Sequence, residues 1–145
     1  VNDVMTPRTV IFALNKDMTV GQVLDKHKSL DFTRIPIFDT NLDVIVGIVN
    51  RYDIVNRKAD DQFSTRMSEI SKEVPSVNEN DPVDKVLELF IQNRYHLALV
   101  VNNENILTGL VTLEDAIETL LGEEIVDEHD SVVDMRDLAK SQNNN

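Results

Sequence analysis

Two short motifs carry most of the chemistry this chain offers. They are Asn50-x-x-Asp53 and Thr112-x-x-Asp115, each starting three residues beyond a glycine, Gly47 and Gly109. Both fall where an apolar strand pattern gives way to a helical one. A carboxylate in the first turn of a helix can accept both hydroxyls of a ribose, while the free amides and a hydroxyl face a phosphate. The glycine lets a ligand or another backbone come close. The same spacing has a purely structural reading. Thr112 as N-cap with an acid three residues on is close to a capping box, worth about 1 kcal/mol. The residue three positions on is Asp in both motifs, although Glu reaches back to the cap amide better, and both readings remain open at this point.

Other chemistries lack their residues. There is no GxxxxGK[ST] or GxGxxG phosphate loop, no HExxH, and no base placed to activate a Ser or Thr. Zero cysteines remove disulfides, thiolate metal sites and Cys nucleophiles, and fit a reducing compartment. His27 falls late on an expected helix, and His129 lies in DEHD, a weak divalent-cation pattern that also suits a solvated acidic stretch. An enzyme built on Asp53 and Asp115 would have no further catalytic partner, so the expectation is no enzyme.

Charge narrows the partners. The 145 residues include 14 Lys and Arg against 26 Asp and Glu, a net charge of −12, which opposes binding to nucleic acid or anionic lipid. No apolar run exceeds five residues, as in Leu97 to Val101, where a membrane span needs about 18. The opening VNDVMTPRT lacks the charged and apolar regions of a secretory signal.

An internal repeat must position the motifs. VIVGIVNRYDIV and ILTGLVTLEDAI match at an offset of 62, and RIPIFD (Arg34 to Asp39) is aligned with HLALVV at the same offset. Met5-Thr6 is aligned with Met67-Ser68, and the early helices, Val20-x-x-Val23 and Val83-x-x-Val86, match at 63. Each copy reads strand–helix–strand–strand–helix: an α+β fold of two units, each marginal alone and therefore packed on the other. Ile11 to Leu14 reads as the first strand. Thr19-x-x-Gln22 and Asp81-Pro82 read as helix starts, and Gly122 as a stop after Leu121. Val83, Val86, Leu87, Phe90 and Ile91 form one apolar face. The units are expected at residues 1–62, including an N-terminal linker, and 63–125; an acidic, disordered tail is expected at 126–145.

With RIPIFD, GIVNRYD and GLVTLED on the page, the chain resembles a tandem pair of cystathionine-β-synthase (CBS) domains, a Bateman module, over about residues 1–125. DVMTPRTVIFAL, TRIPIFD and GLVTLEDAIETLLGEEIVDEHD resemble more narrowly the CBS pair of CorC/HlyC-type (hemolysin-like) and cyclin M-type magnesium and cobalt efflux membrane proteins. The resemblance implies two repeats about a pseudo-twofold axis, on the cytoplasmic side of a plasma or inner membrane, in a longer protein whose transmembrane domain precedes Val1. It implies a homodimer that binds an adenine nucleotide, ATP with Mg²⁺, and regulates the transport domain. One cleft would use Thr6, Thr112 and Asp115, with Ile11 and Ile35 on the adenine and Thr33, Arg34, His96 and Glu114 at the rim. A second cleft would use Asn50, Asp53, Ser68 and Val74, departing from the family pattern at Asn50 and Arg51. The other expectation is a constitutive dimerisation module with no ligand.

Overall fold

The computed structural model describes residues 1–122. Among these residues two sheets carry five helices. β2 (Leu14–Asn15), β3 (Arg34–Asp39) and β4 (Asn41–Asn50) form one sheet, with β3 in the middle. The other has the order β1 (Thr6–Pro7), β7 (Leu107–Thr112), β6 (Leu97–Val101), β5 (Ser76–Asn78). α1 (Val20–Lys26) and α2 (Arg51–Ala59) belong to the first repeat. A short α3 (Met67–Ile70), α4 (Val83–Asn93) and α5 (113–122) belong to the second.

Alternation along the strands divides each sheet into two faces. Ile35, Ile37 and Val49 turn inward onto Val20, Val23 and Ile54 of the helices, all with no exposed surface. In the second repeat Ala98, Val100 and Val111 do the same against Val86, Phe90 and Ala116. The opposite faces meet each other: Leu97, Leu99, Leu107 and Leu110 pack with Leu42, Ile45 and Ile48. This third cluster joins the repeats.

Exchanged edges reinforce that joint. β1, which precedes the first repeat, pairs with β7 of the second, Thr6 opposite Leu110 and Pro7 opposite Gly109. Conversely, the segment leading into the second repeat lies on β4, where Ile48 and Lys72 exchange backbone hydrogen bonds of 2.9 and 2.7 Å. Gly47 and Gly109 are where these backbones cross. A Cβ on Gly47 would stand 2.7 Å from the Lys72 carbonyl oxygen, and one on Gly109 would collide with that of Thr6. Arg8, in a 3-10 turn (Arg8–Val10), adds an ion pair to Asp43 and a 3.2 Å hydrogen bond to the Leu107 carbonyl. The hydrogen bond from Arg8 holds the Asp43 carboxyl below its usual range, so the bridge persists at neutral pH and is lost as pH falls through that lowered value.

Several expectations are corrected. The strand expected at Ile11 to Leu14 is Leu14–Asn15: Ile11 ends the 3-10 turn, and only Leu14 and Asn15 pair with β3. Gly47 faces Ile37 and Gly109 faces Val100, so β3 corresponds to β6 at an offset of 63, and Arg34 matches Leu97 rather than His96. Leu14 and Val77, opposite the same two residues, also correspond at 63. The return to 62 falls in the hairpin, which is one residue shorter in the second repeat. Lys72 holds against Ile48 the place that Thr6 holds against Leu110, so Met67-Ser68 is not the counterpart of Met5-Thr6. Met67 is instead fully buried in the first core. Pro82 is itself the N-cap of α4, and the Asp81 carboxylate accepts from the Asn78 amide in the preceding turn. Ile91 is 66% exposed and Gly122 is helical. The tail and His129 lie outside the described residues.

The Thr19–Gln22 capping box forms as the spacing predicts, with reciprocal hydrogen bonds of 3.2 and 3.0 Å. Thr19→Ala is expected to lower stability by about 1 kcal/mol, read from urea unfolding as a shifted midpoint with unchanged slope.

Candidate ligand clefts between the two sheets

The inter-repeat faces of the sheets run past their shared apolar cluster on two sides, one beside Thr112 and one beside Asn50. On one side Thr6 and Thr112 lie on the same sheet face, because Thr6 opposes Leu110 and Thr112 is two residues further along β7. The Thr112 hydroxyl accepts a 3.2 Å hydrogen bond from the Asp115 amide, capping α5. Asp115 returns no hydrogen bond to the cap, so the capping box is half made. Among the described residues its half-buried carboxylate has no hydrogen-bond or ion-pair partner. A first-turn carboxylate left free beside a hydroxyl is a hydrogen-bond acceptor for a diol.

Ile11 is half-buried against the inter-sheet cluster, as is Val74, its counterpart at 63 on the other side. Thr33 and Glu114 are exposed. The Thr33 carbonyl accepts a 2.8 Å hydrogen bond from the Arg51 amide, which fixes the chain at the mouth of β3. Ile35 is different. Its side chain is fully buried on the helix-facing side of β3, in the first core, and does not reach the inter-sheet face.

On the other side is a cleft of about 460 Å³ whose lining includes Arg34, Asn50, Lys72, Arg94, Tyr95 and His96. Arg34 opposes Asn50 across β3 and β4, so both reach this side of the sheet. Arg34 and His96, expected at the rim beside Thr112, thus line the cleft that carries Asn50. The Asn50 side chain caps α2 by accepting from the Tyr52 amide at 2.8 Å. Asp53 is half-buried in the first turn of α2 and does not line the cleft. Ser68 does not line it either; it is exposed on α3, its amide bonded to the Lys16 carbonyl at 3.0 Å. Arg51 turns away and donates 2.7 Å to the Leu30 carbonyl.

Residues absent from the motifs complete the Asn50 side. Lys72, Arg94 and Tyr95 are brought to the Asn50 cleft from the segments before β5 and β6. Phe32, the counterpart of Tyr95 at 63, is 52% exposed and stacked on Phe12 at 5.8 Å, which itself meets the His27 ring edge-on at 5.0 Å. The corrected offset of 63 is the one sequence signal that links Phe32 to Tyr95.

Among the described residues no group of three or more His, Asp or Glu is placed to hold a metal ion, and no helix is long and apolar enough to cross a membrane.

Known proteins share this architecture. The chain is 32% identical to the magnesium and cobalt efflux protein CorC of Escherichia coli (strain K12), over 97% of this chain and 48% of CorC. It spans less than half the length of the curated relatives it matches. Among solved structures, the CBS domain of a putative transporter from Clostridium difficile 630 superposes with a TM-score of 0.77 at 30% identity, covering 85% of this chain and 94% of that one. The CBS domain of the bacterial CNNM/CorC family Mg²⁺ transporter, in complex with ATP, gives 0.77 at 27% identity, with 83% and 86% covered. The CBS domain model matches twice, at residues 1–60 and 67–122, in keeping with the two sheets and their exchanged edges. The chain therefore belongs to the CBS domain family, as a tandem pair with relatives among the CorC efflux proteins.

Proposed function

We propose that this CBS pair is a non-catalytic regulatory module that binds an adenine nucleotide, ATP with Mg²⁺, and passes the bound state to a magnesium- or cobalt-transporting membrane domain of a longer protein. It would act on the cytoplasmic side of that membrane. The observation that carries the reading is the convergence of Thr6 and Thr112 on one inter-sheet face, beside the Asp115 carboxylate, which has no partner among the described residues. Asp115 accepts the ribose hydroxyls, Thr6 and Thr112 face the phosphates, and Ile11 and Thr33 border the base. Glu114 stands at the rim. Ile35 supports β3 from behind. The ATP complex of a 27% identical CBS domain supports the nucleotide class. The repeats are assigned to 1–62 and 63–125, followed by an acidic tail at 126–145.

Magnesium follows from charge. ATP carries about four negative charges, the chain has a net charge of −12, and Arg34 and His96 line the opposite cleft. A divalent ion on the triphosphate removes two of those charges. ATP affinity is therefore expected to rise with millimolar Mg²⁺, and AMP affinity to change little. Calorimetric titrations of both nucleotides in Mg²⁺ and in EDTA test this. Unchanged ATP affinity in EDTA would remove the magnesium link.

The pair is also proposed to be a homodimer. Tyr52 and Val55 on α2, and Ile117 and Leu121 on α5, are apolar pairs at helical spacing, between 40% and 68% exposed. Stripes of this kind mark interfaces. Light scattering should give twice the chain mass of 16.5 kDa; a monomer at micromolar concentration would contradict it. Dimerisation without any nucleotide heat would favour a constitutive interaction module.

A further inference from the structure

We infer that Arg8 is a positioning residue for the nucleotide: by tying both repeats together at the end of β1, it holds Thr6 in place, which rests on the nucleotide reading of the Thr112 side. β1 is only two residues long, with Thr6 opposite Leu110 and Pro7 opposite Gly109. Proline has no backbone N–H, so of the two only Thr6 can donate to β7. A strand held by so few hydrogen bonds opens readily. Before β1 the chain is anchored to the second repeat. The Asn2 amide donates to the Glu79 carbonyl at 3.1 Å, and Val1, Val4 and Met5 pack on the second core. Directly after β1 comes Arg8.

The Arg8 side chain takes over where the backbone ladder stops. A single nitrogen, Nη1, donates both to the Leu107 carbonyl at the start of β7 and to the Asp43 carboxylate on β4. Leu107 belongs to the second repeat and Asp43 to the first, so one guanidinium spans the joint. Both acceptor residues border a cavity of about 160 Å³. Leu42, Ile45 and Leu99 of the inter-sheet cluster line it too, so the cluster is incompletely filled at this end. Atoms beside a void lose packing contacts on that side, which leaves the Arg8 tie to set the spacing of the sheets here. The Asp43 end is firm, its amide bonded to the Asn41 side-chain oxygen at 2.8 Å. A change in sheet spacing therefore pulls on Arg8 and, through Pro7, on Thr6. By reciprocity, a nucleotide that fixes Thr6 also fixes the spacing of the repeats at Asp43.

The sign of one substitution separates this tie from a plain charge effect. Asp43→Ala removes an acid from a chain of net charge −12, which by charge alone strengthens ATP binding. The tie predicts the reverse. The 145-residue chain and its variants are titrated with Mg-ATP by calorimetry, and amide hydrogen exchange is followed without nucleotide. Asp43→Ala and Arg8→Ala should each lower ATP affinity about fivefold. Both should also speed exchange of the amides across the β1–β7 pair. Asp43→Glu keeps the ion pair and should recover most of the affinity, while Asp25→Ala, exposed on α1, should change neither readout. Because the Arg8–Asp43 pair is partly exposed, melting temperatures should stay close to that of the parent chain. ATP binding in Asp43→Ala as tight as in the parent or tighter, or unchanged exchange across β1–β7 in both alanine variants, would overturn the tie. Should the parent chain bind no Mg-ATP, the nucleotide reading falls, and exchange across β1–β7 alone decides the tie.

Discussion

Asp115→Ala is expected to weaken ATP binding at least tenfold, while Asp53→Ala leaves it within a small factor. The two residues hold matching places in the repeats but not matching surroundings. Asp115 follows a threonine whose hydroxyl caps the helix on the sheet face shared with Thr6, and its own carboxylate has no partner among the described residues. Asp53 follows an asparagine and lies outside the lining of its cleft. A carboxylate that accepts two ribose hydroxyls loses about 1.5–3 kcal/mol per charged hydrogen bond when removed. A tenfold change corresponds to about 1.4 kcal/mol, so the loss should be plain in a titration. Asp115 also favours the α5 N-terminus electrostatically, by roughly 0.3–1 kcal/mol. Melting temperatures of both variants therefore accompany the titrations. Equal losses of affinity from Asp115→Ala and Asp53→Ala would contradict the asymmetry.

Gly109→Ala should damage both stability and binding. The added methyl would collide with the Thr6 carbonyl and approach Met5 Sδ to 2.7 Å. Neither neighbour is the loose end of an exposed chain. Thr6 and Pro7 are paired with β7, and Met5 packs on the second core. β1 must move away, which costs about 1–3 kcal/mol as overpacking. That displacement also carries Thr6 out of the cleft, so ATP affinity should fall even below the melting transition. Thermal unfolding and an ATP titration at low temperature separate the two effects. A variant with native stability and native affinity would show that β1 does not position the ligand.

Much of this was legible in the residues, and the misses share a cause. Gly47 and Gly109, the Thr19 capping box and the helix starts at Asn50 and Thr112 are local signals, and each forms as read. Register is not local. RIPIFD and HLALVV are both continuous apolar runs, so a slip of one residue preserves their hydrophobicity while exchanging the faces of every side chain. That slip hid the burial of Ile35 against the helices. It also matched Arg34 with His96 when Arg34 corresponds to Leu97. Ser68 was misplaced because Met-Ser resembles Met-Thr, whereas the crossing with β4 is made four residues later by Lys72. Lys72 and Arg94 had no motif at all. They are 22 residues apart on separate segments, and only the folded chain brings both to the cleft with Arg34.

Amide chemical shifts of the chain during titration with Mg-ATP test the nucleotide site most directly. The account predicts saturable shifts centred on Thr6, Thr33 and Thr112 to Asp115, abolished together by Asp115→Ala. Shifts absent throughout, or confined to Lys72, Arg94 and His96, would contradict it.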